Sequence, residues 1–340
     1  MTDAELERDF RAKVKAANPF VLGPHQPTDD PGWQESVFLC WHDPKAGVGG
    51  WQRIGFEPNR GTCNQQTAAY AVDGTRFRQV NHFLPFSDAD RTREAFHANG
   101  TTTCHFESDS ETRWTVDFGD DYRCDLLLED IYPYTPLYAT EQGRARDWAV
   151  DPEDADAFVP AHWETSARIR GEVRLAGRDY QIDGFAHRDQ SFGFRDWKII
   201  RSHRAFVGTF GEAFNFSMLS WHTNTDAYSS YGFIMRDGVE EWTDDVEIVT
   251  HLAPDGLTVF GGRATLCMPG GEHIVIDAKA HASIMLPNYE YFGVDTNCEI
   301  TVGDLTGGYG DFEISNNPFD GRRYPTFATG TTLENGLFLP

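Results

Sequence analysis

The run Ile274-Val275-Ile276-Asp277-Ala278-Lys279-Ala280-His281-Ala282-Ser283-Ile284 decides the fold class. Ile274, Ile276, Ala278, Ala280, Ala282 and Ile284 recur at every second position. Side chains of a β-strand alternate across the sheet, so a period of two gathers these six on one face. Working outward, the same period returns in other stretches. Between Trp33 and His42, residues Trp33, Val37, Leu39 and Trp41 share one parity, and between Arg113 and Phe118, Trp114, Val116 and Phe118 do. Leu126 with Leu128, and Phe214 with Phe216 and Met218, repeat the pattern. Gly119-Asp120-Asp121, Asp73-Gly74, Asp237-Gly238 and Asp255-Gly256 supply turns between such runs. About fifteen strands at the spacing of sandwiches and barrels are expected.

Helical signals are few. Asp3 to Ala17 has an Asp cap, apolar Leu6, Phe10 and Val14 at spacing four, late Lys13 and Lys15, and a stop at Pro19. Ser87 to Asn99 reads as a second short helix capped by Ser87 and ended by Gly100, and a turn is expected near Pro152 to Phe158. The polar, Pro-containing stretch from Thr140 to Pro160 reads as a seam between domains 1–160 and 161–340. Two halves that each close their sheet would remove exposed edges. No tandem repeat of short period occurs.

The 340 residues carry 29 Lys plus Arg against 53 Asp plus Glu, a formal charge of −24. So acidic a chain is repelled by phosphate backbones and anionic membrane surfaces, which argues against nucleic-acid or lipid partners. The aromatic share of 14% is material for a large folded core. No apolar run spans a membrane and no leader is evident, so the expected location is cytoplasmic. Cys40, Cys63, Cys104, Cys124, Cys267 and Cys298 lack C-x-x-C spacing and read as structural thiols. His162 and Glu164, two apart on a strand, have no evident third ligand, so no metal is expected. The absence of G-x-S-x-G excludes a nucleophile elbow, and the absence of a P-loop or a helix-opening G-x-G-x-x-G argues against nucleotides.

The densest polar cluster begins at His162-Trp163-Glu164 and culminates in Asp183-Gly184-Phe185-Ala186-His187-Arg188-Asp189-Gln190-Ser191-Phe192-Gly193-Phe194-Arg195-Asp196-Trp197. It interleaves charge with aromatic rings. Burial raises a carboxyl pKa and a neighbouring Arg lowers it, so such a cluster can set two acids apart. The alternative is an Arg–Asp network that pins a strand crossover.

The Asp183–Trp197 run resembles the G-x-x-x-R-D-H-S-W-G-x-R-D-W signature of the carotenoid 1,2-hydratase and kievitone hydratase-like superfamily, which also includes fungal Diels–Alder cyclases. Trp33-Gln34-Glu35-Ser36 with Gly49-Gly50-Trp51-Gln52-Arg53-Ile54-Gly55 resembles the family's first strand pair. His162-Trp163-Glu164 resembles the opening of its second half, and Gly308-Tyr309-Gly310-Asp311-Phe312-Glu313 its closing strand. The resemblance implies an all-β protein of two lipocalin-like antiparallel β-barrel or sandwich domains with few short helices. It implies a cofactor-independent hydratase or dehydratase that protonates a hydrophobic, often isoprenoid, molecule. A cyclase or isomerase, and a carrier of an apolar ligand, are the alternatives; a homodimer is possible. Asp189 would be the proton donor, with Asp196 as a second acid, and His162, Glu164 or Glu35 would place the water. Arg188 and Arg195 would orient carboxylates. His187, Arg188, Gln190, Phe192, Arg195, Trp197 and Trp41 are the expected substrate contacts. Gln190 stands where the signature has His, and Phe192 where it has Trp. An amide does not titrate, so any role of that His passes to Asp189 or His187.

Overall fold

The computed structural model describes residues 22–136, 161–195, 200–223, 228–253, 258–288 and 291–316. The helix expected at Asp3–Ala17, the 140–160 seam with its turn at 152–158, the Asp255-Gly256 turn, and Asp196 and Trp197 lie outside the described residues. Among those described there are twenty strands, two single-turn 3-10 segments and no α-helix.

One sheet contains β1 (Trp33–Asp43), β2 (Val48–Glu57), β3 (Thr62–Ala71), β4 (Arg76–Pro85), β5 (Ala95–Ala98), β6 (Thr102–Ser108), β7 (Glu111–Asp117), β8 (Tyr122–Asp130), β9 (Thr135–Pro136), β10 (Ala161–Leu175) and β11 (Arg178–Phe194). The other contains β12 (Ile200–Thr209), β13 (Phe214–Thr223), β14 (Tyr228–Arg236), β15 (Val239–Trp242), β16 (Asp245–Leu252), β17 (Val259–Cys267), β18 (His273–Asn288), β19 (Tyr291–Val302) and β20 (Leu305–Asn316). The strand orders are 4-3-2-1-11-10-8-7-6-5 and 15-14-13-12-20-19-18-17-16. In each sheet the first strand pairs with the last, and neighbouring strands are antiparallel. Two curled antiparallel sheets result, each a lipocalin-like β domain.

The alternation that opened the sequence survives in β18. Ile274, Ile276, Ala278, Ala282 and Ile284 are buried, whereas Val275, Asp277, Lys279 and Ser283 are exposed. A bulge between Ala280 and Ala282 in the pairing with β19 reverses the faces, so Ala282 and Ile284 lie across from Asn297 and Asp295 and do not share the face of Ile274, Ile276 and Ala278, as the unbroken period implied. In the first sheet, Gly171 has φ +147, and a Cβ there would sit 2.0 Å from the Asp125 carbonyl oxygen. Only glycine lets β10 lie so close to β8 at that point.

Two expectations change. Strands β10 and β11 belong to the first compact unit, so the chain leaves that unit after Arg195 and not at residue 160. The reason is closure: β11 returns to pair with β1, and β10 joins β11 to β8. The stretch 87–99 holds no α-helix. The Asp90 carboxylate accepts from the Ser87 N–H and Oγ–H, but the turn stops at Asp90. Phe96 then enters the core edge-on to Phe56 and Phe106, and Asn99-Gly100, both at positive φ, form the hairpin turn into β6.

Candidate functional site

The register of β1, β11 and β10 sorts the candidate residues onto two faces. Across these strands Glu35 pairs with Phe192, Val37 with Gln190, Leu39 with Arg188 and Trp41 with Ala186. Trp163 and Thr165 lie beyond Gln190 and Arg188. This face carries Val37, Leu39, Trp41, Ala167, Ile169 and Ala186 into the core of the first unit. The opposite face carries Ser36, Phe38 and Cys40 on β1, Ser191, Asp189 and His187 on β11, and His162, Glu164 and Ser166 on β10.

On the core face the Glu35 carboxylate is fully buried. It accepts from Arg91 Nη1 at 2.6 Å, Gln190 Nε2 at 3.0 Å and the His25 backbone N–H at 3.1 Å, and the His25 ring Nδ1 lies at 2.7 Å. Gln190 also donates to the Gly23 carbonyl at 2.7 Å, and Arg91 to the His25 carbonyl at 3.0 Å. The Phe192 ring stacks on the His25 ring at 3.5 Å. Glu35 thus ties down the segment that enters β1. Farther along this face, Arg188 forms a two-bond pair with Asp130, at 2.7 and 2.6 Å, and lies over the Tyr134 ring. Burial pushes the Asp130 carboxyl up, against the pull of the guanidinium. Trp41 donates to Gln52, which donates to the Tyr122 hydroxyl. Val37, Trp114, Tyr134 and Arg188 help line a cavity of about 10 Å³, the room for one water.

On the opposite face Glu164 stands directly across from Asp189. His162 Nε2 lies 3.7 Å from both Glu164 Oε2 and Asp189 Oδ2, and His187 Nε2 lies 3.6 Å from Glu164 Oε2. The Asp189 side chain is only 16% exposed. Burial raises its pKa, while His162 and His187 oppose the rise. Burial holds His162 below its ordinary value, against the attraction of Asp189 and Glu164. The result is a carboxyl inclined to keep its proton beside an imidazole inclined to lose one. Arg195 donates to Ser191 Oγ at 2.6 Å, and that hydroxyl meets Ser36 Oγ at 3.1 Å. Among the described residues no group of three His, Cys, Asp or Glu is placed to hold a metal ion.

The structure therefore brings together Asp189, Glu164, His162, His187 and Arg195. It puts Glu35, Arg188, Gln190, Phe192 and Trp41 on the other face. Among the described residues the set does not converge on one cavity: Arg188 and Asp189 both border the small cavity, but parity on β1 and β11 sends the Glu35 and Asp189 side chains to opposite sides. His25, Arg91, Asp130 and Tyr134 were not singled out in the sequence. Their side-chain hydrogen-bonded partners lie 10 or more residues away, and no local pattern marks them.

The fold and the buried carboxyl–imidazole cluster define a two-domain, lipocalin-like β protein. The chain belongs to the DUF7064 family, a domain of unknown function, whose profile matches residues 20–318. No curated protein matches it by sequence. Among solved structures it is similar to a candidate AttH from Nitrosomonas europaea, at 12% identity and a TM-score of 0.62, covering 88% of this chain and 99% of that one. It is similar to CghA with Sch210972 at 14% identity and a TM-score of 0.60, covering 86% and 90%. Kievitone hydratase from Nectria haematococca matches at 13% identity and a TM-score of 0.58, covering 88% and 94%. At these identities the likeness shows the shared fold. Among the described residues no helix is long and apolar enough to cross a membrane.

Proposed function

We propose that the chain is a lyase that adds water to, or removes it from, an alkene of a hydrophobic small molecule of terpenoid, prenylated or steroid-like type. The observation that carries this reading is the directly opposed pair of Glu164 and Asp189, with His162 between the two carboxyls and Asp189 raised by burial. In the hydration direction Asp189 gives its proton to an alkene carbon. A water held by Glu164 or His162 attacks the cation and gives up a proton to that base. His162, equidistant from both carboxyls, is placed to return the proton to Asp189. The structural likeness to a protein named kievitone hydratase supports the reading.

The test is a panel of prenylated phenols, terpenoid alkenes and steroid-like alkenes incubated in oxygen-18 water. A product heavier by one labelled water is expected, and Asp189→Asn should slow its formation by about 10²–10⁴-fold. A folded Asp189→Asn protein with full turnover would overturn the assignment. A product of unchanged mass would favour a cyclase using the same acid.

A further inference from the structure

The second sheet repeats the strand arrangement of the first, and the resemblance reaches individual side chains. β12, β20 and β19 occupy the places of β1, β11 and β10 in the strand order. Gly184-Phe185-Ala186-His187-Arg188-Asp189-Gln190-Ser191 on β11 is echoed 124 residues later by Gly308-Tyr309-Gly310-Asp311-Phe312-Glu313-Ile314-Ser315 on β20. The register agrees with the echo. Asp189 faces Glu164 across β10, and Glu313 faces Asp295 across β19. Ser191 faces Ser36 on β1, and Ser315 faces His203 on β12. In both units these residues point away from the apolar core, which in the second takes Phe206, Phe312, Ile314 and Val294.

The histidine has changed strands. In the first unit it comes from β10, where His162 pairs with Ser191. The corresponding position on β19 is Gly293, where an added Cβ would lie 2.8 Å from Glu313 Oε1. The imidazole comes instead from β12. His203 Nε2 lies 3.1 Å from Glu313 Oε1, and its Nδ1 hydrogen-bonds Ser315 Oγ. Both the acid and the imidazole keep some access to solvent, with Glu313 at 28% and His203 at 13%. Asp295 is buried.

A second observation points to a ligand. On the same face, β13 presents Ser217 and Asn215, paired with Val207 and Thr209 of β12. Both are 1% exposed, and among the described residues Ser217 Oγ and Asn215 Oδ1 have no hydrogen-bond partner. Buried polar atoms are normally satisfied, and Ser217 lies two strands across and two residues along from Glu313, about 12 Å away at ordinary strand spacing, so an elongated oxygen-bearing molecule on this face would reach from the cluster to Ser217.

We infer that Glu313, Asp295 and His203, all on strands of the second unit, form a second acid–base site for an apolar molecule bearing an epoxide, ether or hydroxyl oxygen. One carboxylate acts on the carbon beside that oxygen, while His203 or the other carboxyl supplies the oxygen with a proton.

The full chain incubated with 1,2-epoxy-3-(4-nitrophenoxy)propane and mapped by peptide mass spectrometry tests the site. A carboxylate oxygen of Glu313 or Asp295 bonds to an epoxide carbon. The carbon–oxygen bond breaks with its electrons on oxygen, and the neighbouring acid protonates it, leaving a hydroxyalkyl ester. Labelling there should run about 10²-fold faster than at Asp120, which is 82% exposed. His203→Gln, which cannot titrate, should bring it down to the Asp120 rate while near-ultraviolet circular dichroism stays native. Labelling of Glu313 and Asp295 no faster than Asp120 in the unaltered protein would overturn the inference, as would an undiminished rate in His203→Gln. Labelling at Asp189 or Glu164 reads out the first site separately, so either proposal can fail alone.

Discussion

Replacing Glu35 by Gln removes one negative charge from a fully buried position without changing the side-chain shape. The loss falls on Arg91, whose side chain is only 11% exposed and whose Nη1 is 2.6 Å from the carboxylate. It also falls on the His25 ring, the His25 N–H and the Gln190 amide, all directed at the same two oxygens. A glutamine turns one acceptor into a donor, which must then face one of these donors. Breaking a buried pair by removing one partner costs about 3–5 kcal/mol. For a unit of this size each kcal/mol moves the unfolding midpoint by about 2–4 °C, so a fall of roughly 6–20 °C is expected. Thermal unfolding followed by near-ultraviolet circular dichroism measures it. Amide exchange should show the His25 N–H losing protection, since that group donates to Glu35. The double variant Glu35→Leu/Arg91→Met should recover only part of the loss, because it strands no charge but leaves the His25 N–H and the Gln190 amide without their acceptor. A change in Glu35→Gln below about 1 kcal/mol, the range of an exposed pair, would refute the reasoning.

Arg188→Met should destabilise the first unit by about 3–5 kcal/mol in urea unfolding, since it strands the buried Asp130 carboxyl; adding Asp130→Leu should restore much of it, and an unchanged midpoint in the single variant would contradict the pair. Asp189 holds its proton more tightly folded than unfolded, so its ionisation costs stability as pH rises through the raised value. Asp189→Asn should therefore gain on the unaltered protein toward neutral pH and match it below roughly pH 4; urea midpoints across pH that run parallel would count against this. His162 favours the neutral ring when folded, so stability falls as pH drops below the usual histidine value of 6.5, and His162→Gln should flatten that fall. Burial pushes Cys63 up to about 11 and Cys104 and Cys124 up to about 12. With iodoacetamide at neutral pH, the partly exposed Cys267 should alkylate well ahead of these three, and equal rates would show that they are open.

Period-two patterns were sufficient to find the strands because a half-buried sheet imposes its alternation residue by residue, as Trp114 and Val116 of β7 show. The Asp73-Gly74 and Asp237-Gly238 turns were legible for the same local reason and connect β3 to β4 and β14 to β15. Asn99-Gly100 reads locally as a helix stop, but the cap at Ser87 is satisfied by a single turn and only the packing of Phe96 shows that the helix does not continue. The composition of 140–160 suggests a boundary there, whereas β10 and β11, which follow it, pair back into the first sheet.

The same division runs through the candidate site. The sequence alone determined the all-β class, the acidic character and the aromatic-flanked polar run of β11, since each is written in neighbouring residues. It could also have placed Asp189 and Gln190 on opposite faces, as strand parity requires. Only the tertiary structure decided that Glu164 lies across from Asp189, that Arg188 belongs to Asp130, and that Glu35 holds Arg91 and His25. Those pairings depend on the register between strands far apart in the chain. That register is set by which sheet closes on itself, through contacts that no local pattern encodes.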